Sequence, residues 1–363
     1  MSDESAWSFE SLAAMESAGL RVVYAGTLRY LVAAGAGLVR ATYEGFPPET
    51  EFVALPKSKI LPVPPKAAQA LADADVVFRA DIADLISQVD SNSLTRFDLY
   101  LSGERADSNL TTRNSFSTQV YEAADWIQGH FVSSGFSVVQ ESFQATYGPN
   151  VIATKRGTRF PNTYVIIGGH YDSRGPSSSS PTNRAPGAND DGSGTSTLLE
   201  IARLINSNNV QFAYSVILGA WCGEEQGLVG SRAYAKKSRD AGVDIKAMLQ
   251  GDMLAYRVPG ERAQVAFPDR YHTPALTAQV KTIVNTYVPE IDACDTSSCC
   301  SDQQSFYEQG YAATFFFERC GPLSDNQYHR EGDVVDRVGF DVEQWTYTTR
   351  AVFASLLTLA EAL

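Results

Sequence analysis

Short apolar runs alternate with helix-like apolar spacings along the chain from about residue 116 onward. The run at 163–169 (TYVIIGG) is typical of a strand that is buried on both faces of a sheet. Residues 192–206 then bring four apolar side chains onto one face of a helix: Leu198, Ile201, Ala202 and Ile205. Because this alternation indicates βα units, we predict a three-layer α/β sandwich around a mixed, largely parallel sheet.

The same patterns give approximate bounds for the elements of this sandwich. Strands are predicted over residues 136–143, 150–155, 163–169, 213–221, 246–252 and 312–317. Helices are predicted over residues 117–131, 192–206, 228–237 and 275–287, and a last helix contains Trp345, Val352 and Leu359. In sheets of this kind the functional site lies at the carboxyl ends of the strands.

The first part of the chain differs from the rest. It contains short apolar runs and then the proline-rich stretch 61–66 (LPVPPK), which favours extended backbone and is typical of a linker. We therefore predict a small appended segment or pro-region over residues 1–78 and a main domain over residues 79–363.

The charge balance excludes several kinds of partner. The chain has 29 Lys and Arg residues against 42 Asp and Glu residues, a net charge of −13. Nucleic acids and anionic membranes require a basic surface, so we expect neither as a partner. The most apolar stretch, residues 22–39, is interrupted by Arg29, so no transmembrane helix is expected. No signal peptide is visible at the start of the sequence.

Residues that bind metals or transfer protons follow the predicted strands. His170 and Asp172 follow one strand, and Glu224 and Glu225 follow another. Three further positions complete the set, namely the Asp190-Asp191 pair before a helix, Asp252 after a strand, and His329 beyond the last strand. Because these positions converge on the carboxyl edge of one sheet, we expect their side chains to meet.

The types of these side chains indicate a pair of transition-metal ions. Imidazole nitrogens with carboxylate oxygens and no thiolate suit Zn²⁺, Mn²⁺ or Co²⁺ better than Ca²⁺. Two histidines and three carboxylates exceed the ligands of one catalytic zinc, but they fit two ions that share a bridging carboxylate. Of the adjacent glutamates Glu224 and Glu225, one would bind metal and the other would accept a proton.

Each motif taken alone has an ordinary structural explanation. His170 resembles a buried histidine hydrogen-bonded to Asp172, and the Asp190-Asp191 pair resembles a turn with a helix cap. The Glu224-Glu225 pair alone resembles the solvated start of a helix. We interpret His130 and His272 as surface or partly hydrogen-bonded histidines. For the five converging motifs together we favour the metal site.

The motifs GGHYDS (168–173), PGANDDGSG (186–194), CGEEQGLVGS (222–231), LQGDM (249–253) and YHREGD (328–333) resemble those of the M28 family of co-catalytic zinc peptidases. The similarity is strongest to the secreted leucyl aminopeptidases of that family. It extends from about residue 80 to the C-terminus in order and approximate spacing, so it implies a zinc-exopeptidase-like fold and an M28-like catalytic domain over residues 79–363.

The resemblance implies a role for each residue of the site. It implies that His170, Asp190 and Asp252 bind one zinc ion, and that Asp190, Glu225 and His329 bind a second, with Asp190 bridging. Glu224 would be the general base, and Asp172 would orient His170. Four residues match positions that line an apolar substrate pocket in the family: Met253, Phe315, Phe317 and Tyr328. The peptide bond after Asp190 is expected to be cis.

The sequence departs from the family pattern at one loop. Ser301-Asp302-Gln303 stands where relatives often have Ser-Asp-His, and the nearby cysteines do not reproduce the small Cys-x-x-x-Cys loop of relatives. We expect Cys294 to pair with Cys299 or Cys300, with Cys320 as an alternative partner. A disulfide, the family resemblance and the sequon at Asn109 are compatible with secretion.

The function implied by the resemblance is hydrolysis of the N-terminal peptide bond of peptides with a free α-amine. A hydroxide bridging two zinc ions would attack the carbonyl carbon, with Glu224 transferring the proton. We expect a monomer with a preference for apolar N-terminal residues.

Three alternatives remain open. One is a glutaminyl cyclase-type acyltransferase with one zinc, and another is a non-catalytic binding module on the same fold. The third is a carboxypeptidase-like or dipeptidase member, which requires a cation for the substrate carboxylate. Four arginines lie near the motifs and are candidates for that cation: Arg174, Arg257, Arg319 and Arg330.

Overall fold

A computed structural model describes residues 21–25, 30–33, 76–176, 180–298 and 300–363. The strands are β1 Arg21–Ala25, β2 Tyr30–Ala33, β3 Ser137–Glu141, β4 Asn150–Lys155, β5 Phe160–His170, β6 Tyr214–Trp221, β7 Asp244–Gly251, β8 Gln264–Pro268, β9 Asp292–Thr296 and β10 Ala313–Phe316. The helices are α1 Ala80–Ser87, α2 Ser91–Leu101, α3 Gln119–Ser133, α4 Ser193–Ser207, α5 Val229–Asp240, α6 Pro274–Tyr287, α7 Gln303–Glu308 and α8 Val342–Leu359. A short π-helical segment, Ala188–Gly192, precedes α4.

The central sheet confirms the predicted mixed architecture. Its six strands have the order β10-β7-β5-β6-β4-β3. The first four are parallel, and β4 and β3 continue the sheet in antiparallel fashion. The antiparallel strands therefore occupy one edge, and the carboxyl ends of β7, β5 and β6 lie next to one another.

Helices cover both faces of this sheet. Val165 and Ile167 of β5 belong to one hydrophobic cluster, which includes apolar residues of α1, α2, α3, α4, α6 and α8. Ile166 points to the opposite face and belongs to a second cluster with residues of α5 and α7. Because side chains alternate along a strand, the apolar run of β5 supplies both faces, as predicted.

Some elements were not anticipated from the sequence. The helix α2 has Asp90 as its N-cap, whose side chain accepts a hydrogen bond from the Asn92 backbone N–H at 3.0 Å. It buries Leu94, Phe97 and Leu101, which are spaced by three and four residues. Both signals are present in the sequence. The strands β8 and β9 form a separate parallel pair beside the main sheet.

The predicted pairing of Cys294 with Cys299 or Cys300 is wrong, and the alternative is confirmed. Cys294 forms a disulfide with Cys320, and their Cα atoms lie 5.7 Å apart. Cys294 lies in β9, and the segment after β10 returns beside that strand, where the Gly321 N–H donates to the Asp295 carbonyl at 3.3 Å. This return brings together residues 26 positions apart in the sequence.

Most of the predicted N-terminal segment 1–78 lies outside the described residues. Its described strands β1 and β2 pair in antiparallel fashion, with Arg21 opposite Ala33. The domain boundary near residue 78 therefore stays a prediction. Over the described parts of the chain, no helix combines the length and apolar character needed to span a bilayer.

Candidate metal centre

Three neighbouring strands deliver candidate ligands to one edge of the sheet. His170 is the last residue of β5, Asp252 directly follows β7, and Glu225 follows β6. Asp190 lies in the π-helical turn before α4, and His329 lies in the loop between β10 and α8. The structure therefore brings together all five side chains that the sequence analysis named as ligands.

Asp190 lies between the two histidines. Its Oδ1 is 3.2 Å from His170 Nε2, and its Oδ2 is 3.0 Å from His329 Nε2. On the first side, Asp252 Oδ1 is 3.6 Å from His170 Nε2. On the second side, Glu225 Oε2 is 3.1 Å from His329 Nε2. These distances describe two adjacent groups of nitrogen and oxygen atoms that share one carboxylate.

The donor set fits divalent transition metals. All five side chains are buried, yet Glu225 Oε1 makes no hydrogen bond, and neither does Asp190 Oδ2 apart from its contact with the His329 ring. Buried carboxylate oxygens without partners are costly, and a bound cation would satisfy them. Although burial opposes the charged ring, the Asp252 and Glu224 carboxylates raise the pKa of His170 well above its ordinary value. The same negative field favours metal cations.

Asp191 is a competing candidate for the first group. Its carboxylate comes close to ligand atoms of His170 and Asp252. However, its Oδ2 accepts the His170 backbone N–H at 3.0 Å, and its Oδ1 accepts the Gly194 N–H at 2.8 Å. The oxygens of Asp191 thus hold the backbone, whereas Asp190 Oδ1 lies 3.2 Å from His170 Nε2. The expected cis peptide bond between these two residues is present.

His170 is held by Asp172 in a way that differs from expectation. The His170 Nδ1 lies 3.0 Å from the Asp172 backbone carbonyl and 3.6 Å from the Asp172 carboxylate. Donation from Nδ1–H to that carbonyl leaves Nε2 available for a metal. The Asp172 carboxylate instead accepts the Ser115 hydroxyl at 2.6 Å and the backbone N–H groups of Glu224 and Glu225 at 3.3 and 3.4 Å.

Glu224 borders the centre without belonging to either group of candidate ligands. Its Oε2 lies 4.0 Å from His170 Nε2, and its side chain lines the pocket. Burial raises the pKa of Glu224 well above its ordinary value, and the Asp252 carboxylate acts in the same direction. A carboxylate with a raised pKa at this place is suited to accept a proton.

A buried ion-pair network holds the turn that carries Asp190, and the sequence analysis gave its members no role. Asp333 accepts the backbone N–H groups of Asn189 and Asp190, both at 3.0 Å. Arg337 donates to Asp333 at 3.0 Å and pairs with Asp325. Asp333 stands in the same motif as His329, so one segment carries His329 and also holds the backbone of Asp190.

The four predicted pocket residues meet at the mouth of the centre. Met253, Phe315 and Phe317 form a small hydrophobic cluster against which Tyr328 packs. The rings of Phe315 and Phe317 lie 5.7 Å apart, on the same side of β10. All four line a pocket of about 830 Å³, partly open to solvent, which also contains Asp190, Glu224, Glu225, Asp252 and His329.

Three other residues named in the sequence analysis are not candidate ligands: His130, His272 and Asp302. His130 packs against the aromatic rings of Phe97 and Trp126. The ring of His272 forms a hydrogen bond with the Thr277 hydroxyl. Asp302, in the loop that departs from the family pattern, accepts the Gln250 side-chain N–H at 3.2 Å, and burial raises its pKa to about 7.

Known proteins resemble this chain in sequence and in fold. The model of peptidase family M28 matches residues 150–352. Leucine aminopeptidase 1 of Sclerotinia sclerotiorum is 33% identical over 274 residues, which are 66% of this chain and 67% of that protein. LapB from Legionella pneumophila has a similar structure, with a TM-score of 0.75 at 18% identity, covering 96% of this chain and 97% of that one. Porphyromonas gingivalis glutaminyl cyclase is similar in fold, with a TM-score of 0.61 at 18% identity, covering 74% of this chain and 98% of that one.

The fold and the two groups of candidate ligands are in keeping with the family that these comparisons identify. The chain belongs to peptidase family M28 and is a peptide hydrolase. It spans about two thirds of the length of the fungal relative.

Proposed function

We propose that this protein is a dinuclear zinc aminopeptidase that removes apolar residues from peptide N-termini. His170, Asp190 and Asp252 would hold one ion, and Asp190, Glu225 and His329 the other. The observation that carries the proposal is the position of Asp190, which has one carboxylate oxygen within 3.2 Å of each histidine. Glu224 lies beside this arrangement but belongs to neither group of candidate ligands. When bound, zinc polarises a carbonyl oxygen and lowers the pKa of water.

The residues of the chain would then handle the proton and the substrate. Glu224 takes a proton from the attacking water and returns it to the leaving amine. The carboxylates that surround the centre favour a substrate with a cationic α-amine. The wall of Met253, Phe315 and Phe317 receives an apolar side chain, and Tyr328 covers it, which favours Leu-like N-terminal residues.

A turnover assay tests this proposal directly. A panel of aminoacyl p-nitroanilides should give the highest kcat/KM for Leu and other apolar residues, and N-acetyl-Leu-p-nitroanilide should be inert. Equal rates for free and acetylated substrates would contradict the aminopeptidase reading. Equal rates for Leu and charged residues would contradict the apolar pocket only.

The oxidised cysteines support a second proposal, that the protein is secreted as a monomer. The Cys294–Cys320 disulfide is typical of oxidising compartments, and Asn109 of the sequon is exposed. Fractionation of the source cells should place the activity in the medium, and light scattering should give a mass near 39.4 kDa for the whole chain. Activity confined to the cytosol or a dimeric mass would contradict these expectations.

A further inference from the structure

The loop between β10 and His329 supplies one side of the apolar pocket. Leu323 of this loop lines the pocket together with Phe315, Phe317 and Tyr328, and the sequence analysis gave it no role. Its half-buried side chain packs against the hydrophobic cluster that contains Phe315 and Phe317. Phe315 is held by the sheet because it lies in β10, whereas Leu323 lies in irregular backbone. The position of Leu323 therefore depends on what anchors its loop.

A disulfide anchors this loop three residues before Leu323. Cys320 is bonded to Cys294 of β9, and their Cα atoms lie 5.7 Å apart. Cys294 also packs against the hydrophobic cluster that Leu323 contacts, although Cys294 does not line the pocket itself. The disulfide thus connects the loop to a strand and supports the apolar cluster from outside the pocket.

The hydrogen bonds of this loop lie beside the disulfide and not at Leu323. The Cys320 N–H donates to Gln264 Oε1 at 2.9 Å, and the Gly321 N–H donates to the Asp295 carbonyl at 3.3 Å. Within the part of the chain that the structure describes, Leu323 makes no backbone-to-backbone hydrogen bond. The loop is therefore attached at residues 320–321, and the covalent bond is the strongest part of that attachment.

We propose that the Cys294–Cys320 disulfide is a specificity determinant, because it positions Leu323 against the side chain of the substrate's N-terminal residue. This inference rests on the proposed aminopeptidase function. Without the covalent bond the loop loses its anchor, and a Leu-like side chain loses apolar contact on that side of the pocket. An alanine side chain is too short to gain much from this contact, so its turnover depends little on Leu323.

A disulfide that only stabilises the fold makes a different prediction. Its loss would then lower the free energy of unfolding and reduce turnover of every substrate by the same factor. A disulfide that positions Leu323 instead affects large apolar side chains more than small ones. The ratio of kcat/KM for two substrates, measured on one protein sample, separates these roles because general damage cancels in the ratio.

The test compares Leu-p-nitroanilide with Ala-p-nitroanilide on the zinc-loaded full chain. Leu323→Ala keeps the disulfide and should lower the Leu-to-Ala ratio of kcat/KM about tenfold, as for the loss of one methylene contact in an apolar pocket. The double variant Cys294→Ser, Cys320→Ser should lower the ratio by a similar factor with unchanged zinc content. All three substitutions together should lower the ratio no further than Leu323→Ala alone, because the disulfide acts through Leu323.

Asp292→Asn is the matched control, since it alters the strand that carries Cys294 without changing the disulfide. Asp292 pairs with Arg262 at 3.5 Å, and both side chains are more than half exposed, so the Leu-to-Ala ratio should equal that of the unchanged protein. Reduction of the folded protein provides the same comparison if the double serine variant does not fold. A water-soluble phosphine converts the S–S bond to two thiols and becomes the phosphine oxide, and it should lower the ratio in the unchanged protein but not in Leu323→Ala.

The outcomes separate this inference from the proposed function. An unaltered ratio in Leu323→Ala or in the protein without the disulfide would overturn the inference alone, and so would losses that multiply in the combined variant. A Leu-to-Ala ratio near one in the unchanged protein would overturn the apolar pocket and this inference with it. Hydrolysis of N-acetyl-Leu-p-nitroanilide as fast as the free substrate would overturn the aminopeptidase function itself.

Discussion

The candidate ligands are oriented by neighbouring residues that are not themselves candidate ligands. The Asp172 carbonyl fixes one nitrogen of His170, and the Asp172 carboxylate accepts the backbone N–H groups of both glutamates. Asp333 holds the backbone of Asp190. Such secondary contacts orient ligands before metal arrives and typically change metal affinity 10- to about 100-fold when lost.

Substitution of the two adjacent glutamates should separate proton transfer from metal binding. Glu224→Gln removes the base, so we expect kcat to fall about 10²- to 10⁴-fold with unchanged zinc content. Glu225→Gln is the matched change one residue later, and it should lower zinc content as well as kcat. Steady-state kinetics and elemental analysis on the same samples check both expectations. Reduced zinc in Glu224→Gln with full zinc in Glu225→Gln would reverse our assignment.

At the residue scale the sequence predicted which side chains come together, but not the residues that hold them in place. The convergence of His170, Glu225 and Asp252 could be predicted because each follows a recognisable buried strand. Asp333 and Arg337 lie in an irregular loop, and their role depends on a turn more than 140 residues earlier in the chain. The partner of Cys294 was likewise set by the return of the chain beside β9, which local spacing does not encode.

At the scale of elements, the turn Ala188–Gly192 is held by the Asp333–Arg337–Asp325 network. Arg337→Met would leave two buried carboxylates without their cation, so we expect a loss of about 3–5 kcal/mol in the free energy of unfolding. Zinc affinity should fall at least about tenfold because Asp190 is no longer positioned. Chemical denaturation and competitive zinc titration measure the two effects.

Arg262→Met provides the control for that variant. Arg262 pairs with Asp292 at 3.5 Å, and both side chains are more than half exposed. Exposed pairs contribute little, so its free energy of unfolding should change by less than about 1 kcal/mol and its zinc affinity should not change. Equal effects in both variants would contradict a specific role for the network.

The helix α3 contains a titrating group that links stability to pH. Burial lowers the pKa of His130 below 6.5, and the nearby Arg96 and Arg105 act in the same direction. The stabilising contribution of the neutral ring is therefore present above pH 6.5 and is lost as the pH falls through the folded-state pKa.

Replacing this histidine should flatten the response to pH. His130→Phe keeps an aromatic ring against Phe97 and Trp126 but does not titrate. Between about pH 7.5 and about pH 5.5 the melting temperature of the unchanged protein should fall further than that of the variant. Calorimetric scans at both pH values check this, and parallel decreases would show that His130 does not contribute.

The elements of the main sheet were predictable because their sequences have strong periodicity. The apolar run of β5 and the helical face of α4 each bury the residues that the pattern indicated. The strands β8 and β9 were not predicted from the sequence because they are short and β9 contains mostly polar residues (DACDT). Their pairing arises from tertiary contact with the segment after β10.

At the scale of the whole molecule, the predicted segment before residue 79 tests whether the catalytic domain is autonomous. In the described part of the chain, the hydrophobic core is built from residue 76 onward. We expect limited proteolysis near residues 66–80 to leave a folded, zinc-binding domain. If the segment inhibits the enzyme, kcat/KM for Leu-p-nitroanilide should rise after cleavage, and an unchanged rate would contradict inhibition.

The most direct measurement of the metal centre is the zinc content of the purified full chain at saturation. Elemental analysis after equilibrium dialysis, paired with a titration monitored by calorimetry, counts the ions and their affinities. We expect two zinc ions per chain, about one in His329→Ala, and less than one in Asp190→Ala because both positions share that carboxylate. A plateau at one ion per unchanged chain, or two ions retained in Asp190→Ala, would contradict a dinuclear centre bridged by Asp190.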